Sequence, residues 1–73
     1  MTPEKPLHVA LREARIAAGL TIPEVVEQTG IARSSLYGWE AGTFRPKGDA
    51  VIRLANLYGV DAIDFIYLMG DNE

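Results

Sequence analysis

The chain has 73 residues, with seven Lys or Arg against ten Asp or Glu, which gives a net charge of −3 at pH 7, and it contains no cysteine. This length leaves room for one domain, residues 1–73, and the lack of cysteine excludes disulfides and cysteine-ligated zinc as sources of stability. No apolar run approaches the roughly 20 residues that span a membrane, and the first residues are polar, so we expect a cytoplasmic protein.

The first predicted helix covers residues 6–18. Its apolar residues recur at the spacing of one buried helix face and are Leu7, Ala10, Leu11, Ala14 and Ala18. Gly19 follows, and glycine commonly ends a helix by adopting the left-handed conformation.

The second predicted helix covers residues 22–29. Thr21 and Glu24 have the spacing of a capping box, in which each side chain bonds an exposed backbone N–H at the helix start. Pro23 lies in the first turn, where its missing N–H costs little. Gly30 is placed to end the helix.

A third predicted helix, residues 33–41, begins almost at once, with Leu36 and Trp39 on one side and Gly42 after it. We expect Trp39 in the core. Two short helices joined by a turn of three or four residues that contains glycine form a helix-turn-helix.

Two more helices are predicted, at residues 49–58 and 62–69, after a loop broken by proline and glycine. The buried face of the former is expected to be Val51, Leu54, Ala55 and Tyr58. Asp61 is placed to cap the latter, and glycines at 59 and 70 end the two helices. Because no segment alternates as a strand does, the sequence predicts an all-α fold.

Charge is distributed unevenly along the chain. Residues 29–60 carry a net +2, because four basic residues face two acidic ones, whereas residues 61–73 carry −4. A local basic patch suffices for phosphate contacts even where the net charge is negative.

From about residue 7 to 69, the sequence resembles the Cro/repressor family of phage and bacterial helix-turn-helix regulators at many aligned positions. The matching residues are Arg15, Gly19, Leu20, Thr21, Glu24, Gly30, Ile31, Arg33, Ser34, Leu36, Trp39, Glu40, Gly42, Arg45, Pro46, Leu54, Ala55, Gly59 and Val60. The resemblance implies a five-helix, lambda-repressor-like domain whose third helix enters the major groove of double-stranded DNA, usually as a dimer.

Site residues follow from the same resemblance. The DNA base readout is expected from Arg33, Ser34, Tyr37 and Gly38. The DNA backbone contacts are expected from Ser35, Thr43, Arg45 and Lys47. An arginine at a helix start can reach two acceptors on a guanine edge. A tyrosine can touch a thymine methyl group with its ring or bond a phosphate through its hydroxyl.

Each assignment has a structural alternative. Arg33 could be a solvated surface charge, Tyr37 could cover the edge of the core, and Arg45 and Lys47 could belong to an ordinary soluble loop. Two residues are predicted to be structural, since the resemblance suggests that Arg15 and Glu40 pair and tie the first helix to the third. His8 is interpreted as a surface residue.

Several positions depart from the family pattern. Ile22 replaces a glutamine that usually braces the DNA backbone, and Val26 replaces an alanine where the two helices approach closely. Gly38 stands where a polar or basic reader is common and should loosen the helix by up to ~1 kcal/mol relative to alanine. Ala32 and Lys47 lack the side-chain oxygen that caps a helix.

The last helix carries more apolar residues than one buried face needs. We expect Ile63, Ile66 and Tyr67 to face the domain. A homodimer interface is then predicted from the other faces, at Phe65, Leu68 and Met69. The alternative is that a slightly rotated helix packs these residues into the core.

The sequence thus favours a sequence-specific regulator of transcription, Cro-like or repressor-like and of phage type. The alternative is a protein-interaction module on the same fold, such as an antitoxin or an antirepressor partner. We expect no enzyme, because no paired carboxylates, no nucleophile with a base and no phosphate-cradling loop are present. Accordingly we expect no cofactor, no metal and no small-molecule ligand.

Overall fold

Five α-helices form the fold in the computed structural model, which describes residues 5–69. They are α1 Leu7–Ala17, α2 Ile22–Thr29, α3 Arg33–Ala41, α4 Gly48–Tyr58 and α5 Ala62–Leu68. The described residues contain no strand, which confirms the all-α, five-helix prediction. The bounds of α2 and α3 are those predicted, and the other three helices differ by one residue at one or both ends. The predicted helix end at Gly70 lies outside the described residues.

One hydrophobic core joins all five helices. Its buried residues are Leu7, Ala10, Leu11, Ile22, Val25, Leu36, Val51, Leu54, Ala55, Tyr58 and Phe65. The four residues predicted to form the inner face of α4 are all among them. On α1 the prediction is wrong at one position, because the helix ends at Ala17 and Ala18 is exposed.

The start and end of α2 follow the predicted local signals. The hydroxyl of Thr21 accepts a hydrogen bond from the backbone N–H of Glu24, and the Glu24 carboxylate accepts one from the backbone N–H of Thr21 at 2.8 Å. Gly30 ends the helix with φ = 75°, a left-handed conformation that favours glycine. Local sequence therefore fixes how α2 leads into α3.

The prediction for the two faces of α5 is wrong. Phe65 is buried, with 3% of its surface exposed, and Leu68 and Met69 pack against the core. The residues expected to be buried, Ile63, Ile66 and Tyr67, are the exposed ones. The helix is rotated from the expected setting, so the alternative of core packing describes it.

Candidate nucleic-acid interface

Helix α3 presents a solvent-facing surface that includes three of the predicted readers. Arg33 and Ser34 are exposed in its first turn, and Tyr37 is 54% exposed one turn later. Leu36, on the opposite side, is buried, and Trp39 is half-buried against the core. Trp39 therefore lies at the edge of the core rather than inside it. The burial of this side turns the Arg33, Ser34 and Tyr37 side of α3 outward.

An ion pair holds α3 to α1. The Arg15 guanidinium donates from Nε to Glu40 Oε2 at 2.8 Å and from Nη2 to Glu40 Oε1 at 2.9 Å, which confirms the predicted pairing. Arg15 also donates from Nη1 to the Leu20 carbonyl oxygen at 2.9 Å. The hydrogen bond with Glu40 raises the pKa of Arg15 above its ordinary value, although burial opposes this. Three contacts from one guanidinium fix α1, α3 and the segment that leads into α2 relative to one another.

Tyr58 lies in the core near this pair. Burial raises the pKa of Tyr58 to about 12, with a further contribution from the Glu40 charge, while the Arg15 charge lowers it. The Tyr58 hydroxyl is buried and has no hydrogen-bond partner in the described part of the chain. The phenol therefore stays neutral up to strongly alkaline pH.

The loop after α3 is tied back onto the helix. The backbone N–H groups of Thr43 and Phe44 both donate to the Gly38 carbonyl oxygen, at 2.9 and 3.3 Å. Gly42 begins the loop with φ = 80°, and Pro46 is buried. These contacts hold the predicted backbone-contact residues of the loop, which are all exposed: Thr43, Arg45 and Lys47. Ser35, the remaining member of that predicted group, is half-buried on α3.

Gly38 has a different setting from the one expected of a base reader. It is buried, and the ring of Phe44 lies against it so closely that a Cβ atom at position 38 would stand 2.3 Å from Phe44 Cδ2. Phe44 itself is 61% exposed. The glycine thus makes room for an aromatic ring, and sequence reasoning did not assign Phe44 any role. The available signal was a glycine in mid-helix followed six residues later by an exposed aromatic residue.

Basic side chains beside α3 are not neutralised by neighbours. Within residues 5–69 the ion pairs are Lys5 with Glu13 and Arg15 with Glu40, so Arg33, Arg45 and Lys47 have no carboxylate partner there. Glu40 is the one acidic residue of α3, and its charge is matched by Arg15. Arg33 on the outward surface of α3, and Arg45 and Lys47 in the following loop, therefore carry positive charge that no ion pair among the described residues offsets, although the chain as a whole is negative.

A shallow basic cavity of about 430 Å³ lies between the α2–α3 turn and α4. It is lined by Gly30, Ile31, Trp39, Arg45, Lys47, Asp49, Ala50 and Arg53. Arg53 donates from Nη1 to the Thr29 carbonyl oxygen at 3.1 Å, which links α4 to the C-terminal end of α2. A cationic side chain is favourable there because the last carbonyls of a helix carry partial negative charge. Arg53 thus supports the turn of the helix-turn-helix.

Of the residues that depart from the family pattern, two pack in or against the core and two leave a helix start without a side-chain cap. Ile22 is 6% exposed and belongs to the core, so it contributes packing at the position where the family pattern has a polar brace. Val26 is half-buried against the core. Neither Ala32 nor Lys47 makes a side-chain cap, so the first N–H groups of α3 and α4 are left for other acceptors.

His8 is half-buried, with its ring against Gly42, and so is not the surface residue that was expected. Within residues 5–69, no group of three or more His, Cys, Asp or Glu side chains is arranged to hold a metal ion. In the same part of the chain, no helix is both long and apolar enough to cross a membrane.

Comparison with known proteins gives a family match and several relatives. A family model described as a helix-turn-helix domain matches residues 7–64. The chain is 40% identical over 62 residues to YobD of Bacillus subtilis, named an uncharacterized HTH-type transcriptional regulator, with 85% of this chain and 54% of the relative covered. It is 36% identical over 63 residues to the HTH-type transcriptional regulator ImmR of the same organism, covering 86% and 47%.

A third relative, from Methanothermobacter thermautotrophicus, is also named an uncharacterized HTH-type transcriptional regulator. It is 27% identical over 66 residues, which cover 90% of this chain and 96% of the relative. The chain spans about half the length of the two Bacillus relatives. The match over residues 7–64 and the identity to YobD establish that the chain belongs to the helix-turn-helix domain family, in its Cro/repressor-like class.

Proposed function

We propose that this protein binds duplex DNA in a sequence-specific manner through α3 and regulates transcription as a Cro-like or repressor-like protein. The observation that carries the proposal is the outward surface of α3, where Arg33, Ser34 and Tyr37 are exposed and the one acidic residue, Glu40, is paired with Arg15. Arg33, exposed at the helix start, would donate two hydrogen bonds to a guanine edge in the major groove.

The loop after α3 would supply the contacts to the phosphate backbone. Arg45 and Lys47 are exposed and unpaired within the described residues, and two hydrogen bonds to the Gly38 carbonyl oxygen tie the loop to α3. Because the loop is tied to the reading helix, phosphate contacts made by it set the register of α3 on the duplex. Base readout and backbone contact would thus come from adjacent, mutually fixed segments.

Selection of bound sites from a random DNA pool, followed by titration of the selected duplex at several salt concentrations, tests the proposal. Affinity should fall steeply with salt, and Arg45→Ala and Lys47→Ala should each reduce the slope of log K against log salt by about 1 on every sequence. Arg33→Ala should instead weaken the binding free energy by ~1 to 3 kcal/mol on the selected site and change it little on random duplex. Arg12→Ala, at an exposed arginine of α1, is the matched control and should change neither quantity.

Absence of binding to any duplex at low salt would refute the proposal. That result would favour the alternative of a protein-interaction module on the same fold. Equal losses from Arg33→Ala and Arg45→Ala on all sequences would reject the division between reading and positioning residues.

We also propose a homodimer, with its contact on the outer face of α5. Ile63 and Ile66 are 59% and 40% exposed and lie three residues apart on this helix, so they share one face. A pair of exposed isoleucines on one helix face supports a self-complementary contact, in which the same patch of two copies meets across a two-fold axis. Two-fold symmetry would place two α3 helices on related half-sites of one duplex.

A further inference from the structure

We infer that Phe44 is a DNA-reading residue that replaces the missing side chain at position 38 and contacts the 5-methyl group of a thymine. The inference rests on the proposed function, because it concerns the same surface of α3. It adds a residue, Phe44, that the family resemblance does not assign.

The Phe44 ring occupies the space that a side chain at position 38 would fill. Gly38 lies four residues after the exposed Ser34, so the two positions are neighbours on one face of α3. A side chain at 38 would point from that face, and the Phe44 ring occupies this space, with Cδ2 and Cε2 at 2.3 and 2.9 Å from where the Cβ would be. The ring thus lies where α3 would otherwise present a side chain of its own.

The backbone that carries the ring is held in place before any ligand binds. The backbone N–H groups of Thr43 and Phe44 both donate to the Gly38 carbonyl oxygen, and the buried Pro46 fixes the far end of the loop. A rigid aromatic side chain loses little conformational entropy when it makes a contact. Phe44 is therefore preorganised rather than loosely disposed in solvent.

The chemistry of the exposed surface identifies the group contacted. Phe44 is 61% exposed and its side chain has no hydrogen-bonding group, so the ring can neither pair with a base acceptor nor bind a phosphate oxygen. In the major groove the apolar group presented by base pairs is the thymine methyl, and phenylalanine is a residue type that contacts it. Phe44 should therefore discriminate thymine from bases that lack this methyl group.

Replacement of each thymine in the selected duplex by deoxyuridine, one at a time, tests the inference because it removes only the methyl group. For the wild-type protein, one position per half-site should lose roughly 4-fold in affinity when its methyl is removed, the equivalent of one buried CH₂-sized group. Phe44→Ala should bind the unmodified site about 10-fold more weakly and should be insensitive to deoxyuridine at that position. Phe44→Leu, which keeps an apolar side chain, should retain part of both effects.

Two controls separate this contact from others. Tyr37→Ala should still lose affinity when deoxyuridine replaces the thymine that Phe44 contacts, since Tyr37 would contact a different base. Phe44→Gln keeps a side chain of similar reach over Gly38 but removes its apolar character, and it should behave as Phe44→Ala. Circular dichroism and the unfolding midpoint establish that each variant is folded.

Binding by the wild type together with unchanged affinity of Phe44→Ala overturns the inference alone. Weaker binding by Phe44→Ala with every deoxyuridine penalty preserved also overturns it, because the ring would then act away from a methyl group. No binding of the wild type to any duplex overturns both the inference and the proposed function.

Discussion

Arg15 in α1 and Glu40 in α3 form a doubly hydrogen-bonded ion pair whose side chains are 14% and 10% exposed. The pair joins two residues 25 positions apart in sequence and fixes the helix that carries the proposed readers. Its partial burial matters because a charge removed from water is costly when it loses its partner.

We expect Arg15→Ala to lower the free energy of unfolding by ~3 kcal/mol, since it leaves the Glu40 carboxylate largely buried and unpaired. The double variant Arg15→Met, Glu40→Leu should lose less than Arg15→Ala, because neither charge is then buried. Urea denaturation measures both. Lys5→Ala breaks the exposed pair of Lys5 with Glu13 and is the control, with an expected loss under ~0.5 kcal/mol. Equal losses from Arg15→Ala and Lys5→Ala would contradict the structural role of the pair.

Tyr58 should make the protein sensitive to alkaline pH. Its pKa is raised from 10.0 to about 12, so the folded state keeps the phenolic proton where the unfolded chain loses it. The contribution of this proton to the free energy of unfolding is fully present below pH 10 and is lost as pH rises towards 12. The whole contribution is on the order of 2 to 3 kcal/mol. Tyr58→Phe should lack this loss, so the difference in unfolding free energy between the two proteins should change across that window.

At neutral pH the same substitution should change stability by less than ~1 kcal/mol or increase it. The reason is that the Tyr58 hydroxyl is buried without a hydrogen-bond partner among residues 5–69, so its removal breaks no such bond. A large loss at pH 7 would mean that the hydroxyl is satisfied in solution.

Sequence reasoning succeeded where the signal is local. The capping box of Thr21 and Glu24, the left-handed Gly30 and the inner face of α4 are each set by residues close together in the chain. The pairing of Arg15 with Glu40 is not local, and it was predicted from family resemblance rather than from spacing.

The failures lie where tertiary packing decides. Helix α5 has the sequence AIDFIYL, in which apolar residues occur on all sides, so periodicity does not select the face that packs against α4. The contact of Phe44 with Gly38 depends on the path of the loop between them, and no local rule gives that path. The sequence alone therefore assigns Gly38 no contact, whereas in the structure Gly38 accommodates the Phe44 ring.

The two faces of α5 should respond differently to substitution. Phe65→Ala should cost ~3 to 5 kcal/mol, because it leaves a cavity in the core. Ile63→Glu should change stability little, since this side chain is 59% exposed, but should abolish the proposed dimer by placing a charge in its contact. Sedimentation velocity at high concentration measures the association, and a wild type that stays monomeric there with or without operator DNA would refute the dimer.

Gly38→Ala should reveal the packing of Phe44 through a double-mutant cycle. In an open helix interior the change from glycine to alanine stabilises by ~1 kcal/mol, but here the new Cβ would collide with the Phe44 ring. We therefore expect Gly38→Ala to leave the free energy of unfolding of the wild type unincreased, and to raise it by about 1 kcal/mol in the Phe44→Ala background. The difference is a coupling energy on the order of 1 kcal/mol. Denaturant unfolding of the four proteins measures it.

Gly48→Ala provides the matched control for this cycle. Gly48 lies in the first turn of α4 with nothing within 4 Å of a Cβ atom, so its effect should be the same with Phe44 present or absent. Equal effects of Gly38→Ala in the two backgrounds would show that the ring leaves position 38 at no cost. In that case Phe44 would not be held on α3, and the preorganisation on which its proposed contact with thymine depends would be lost.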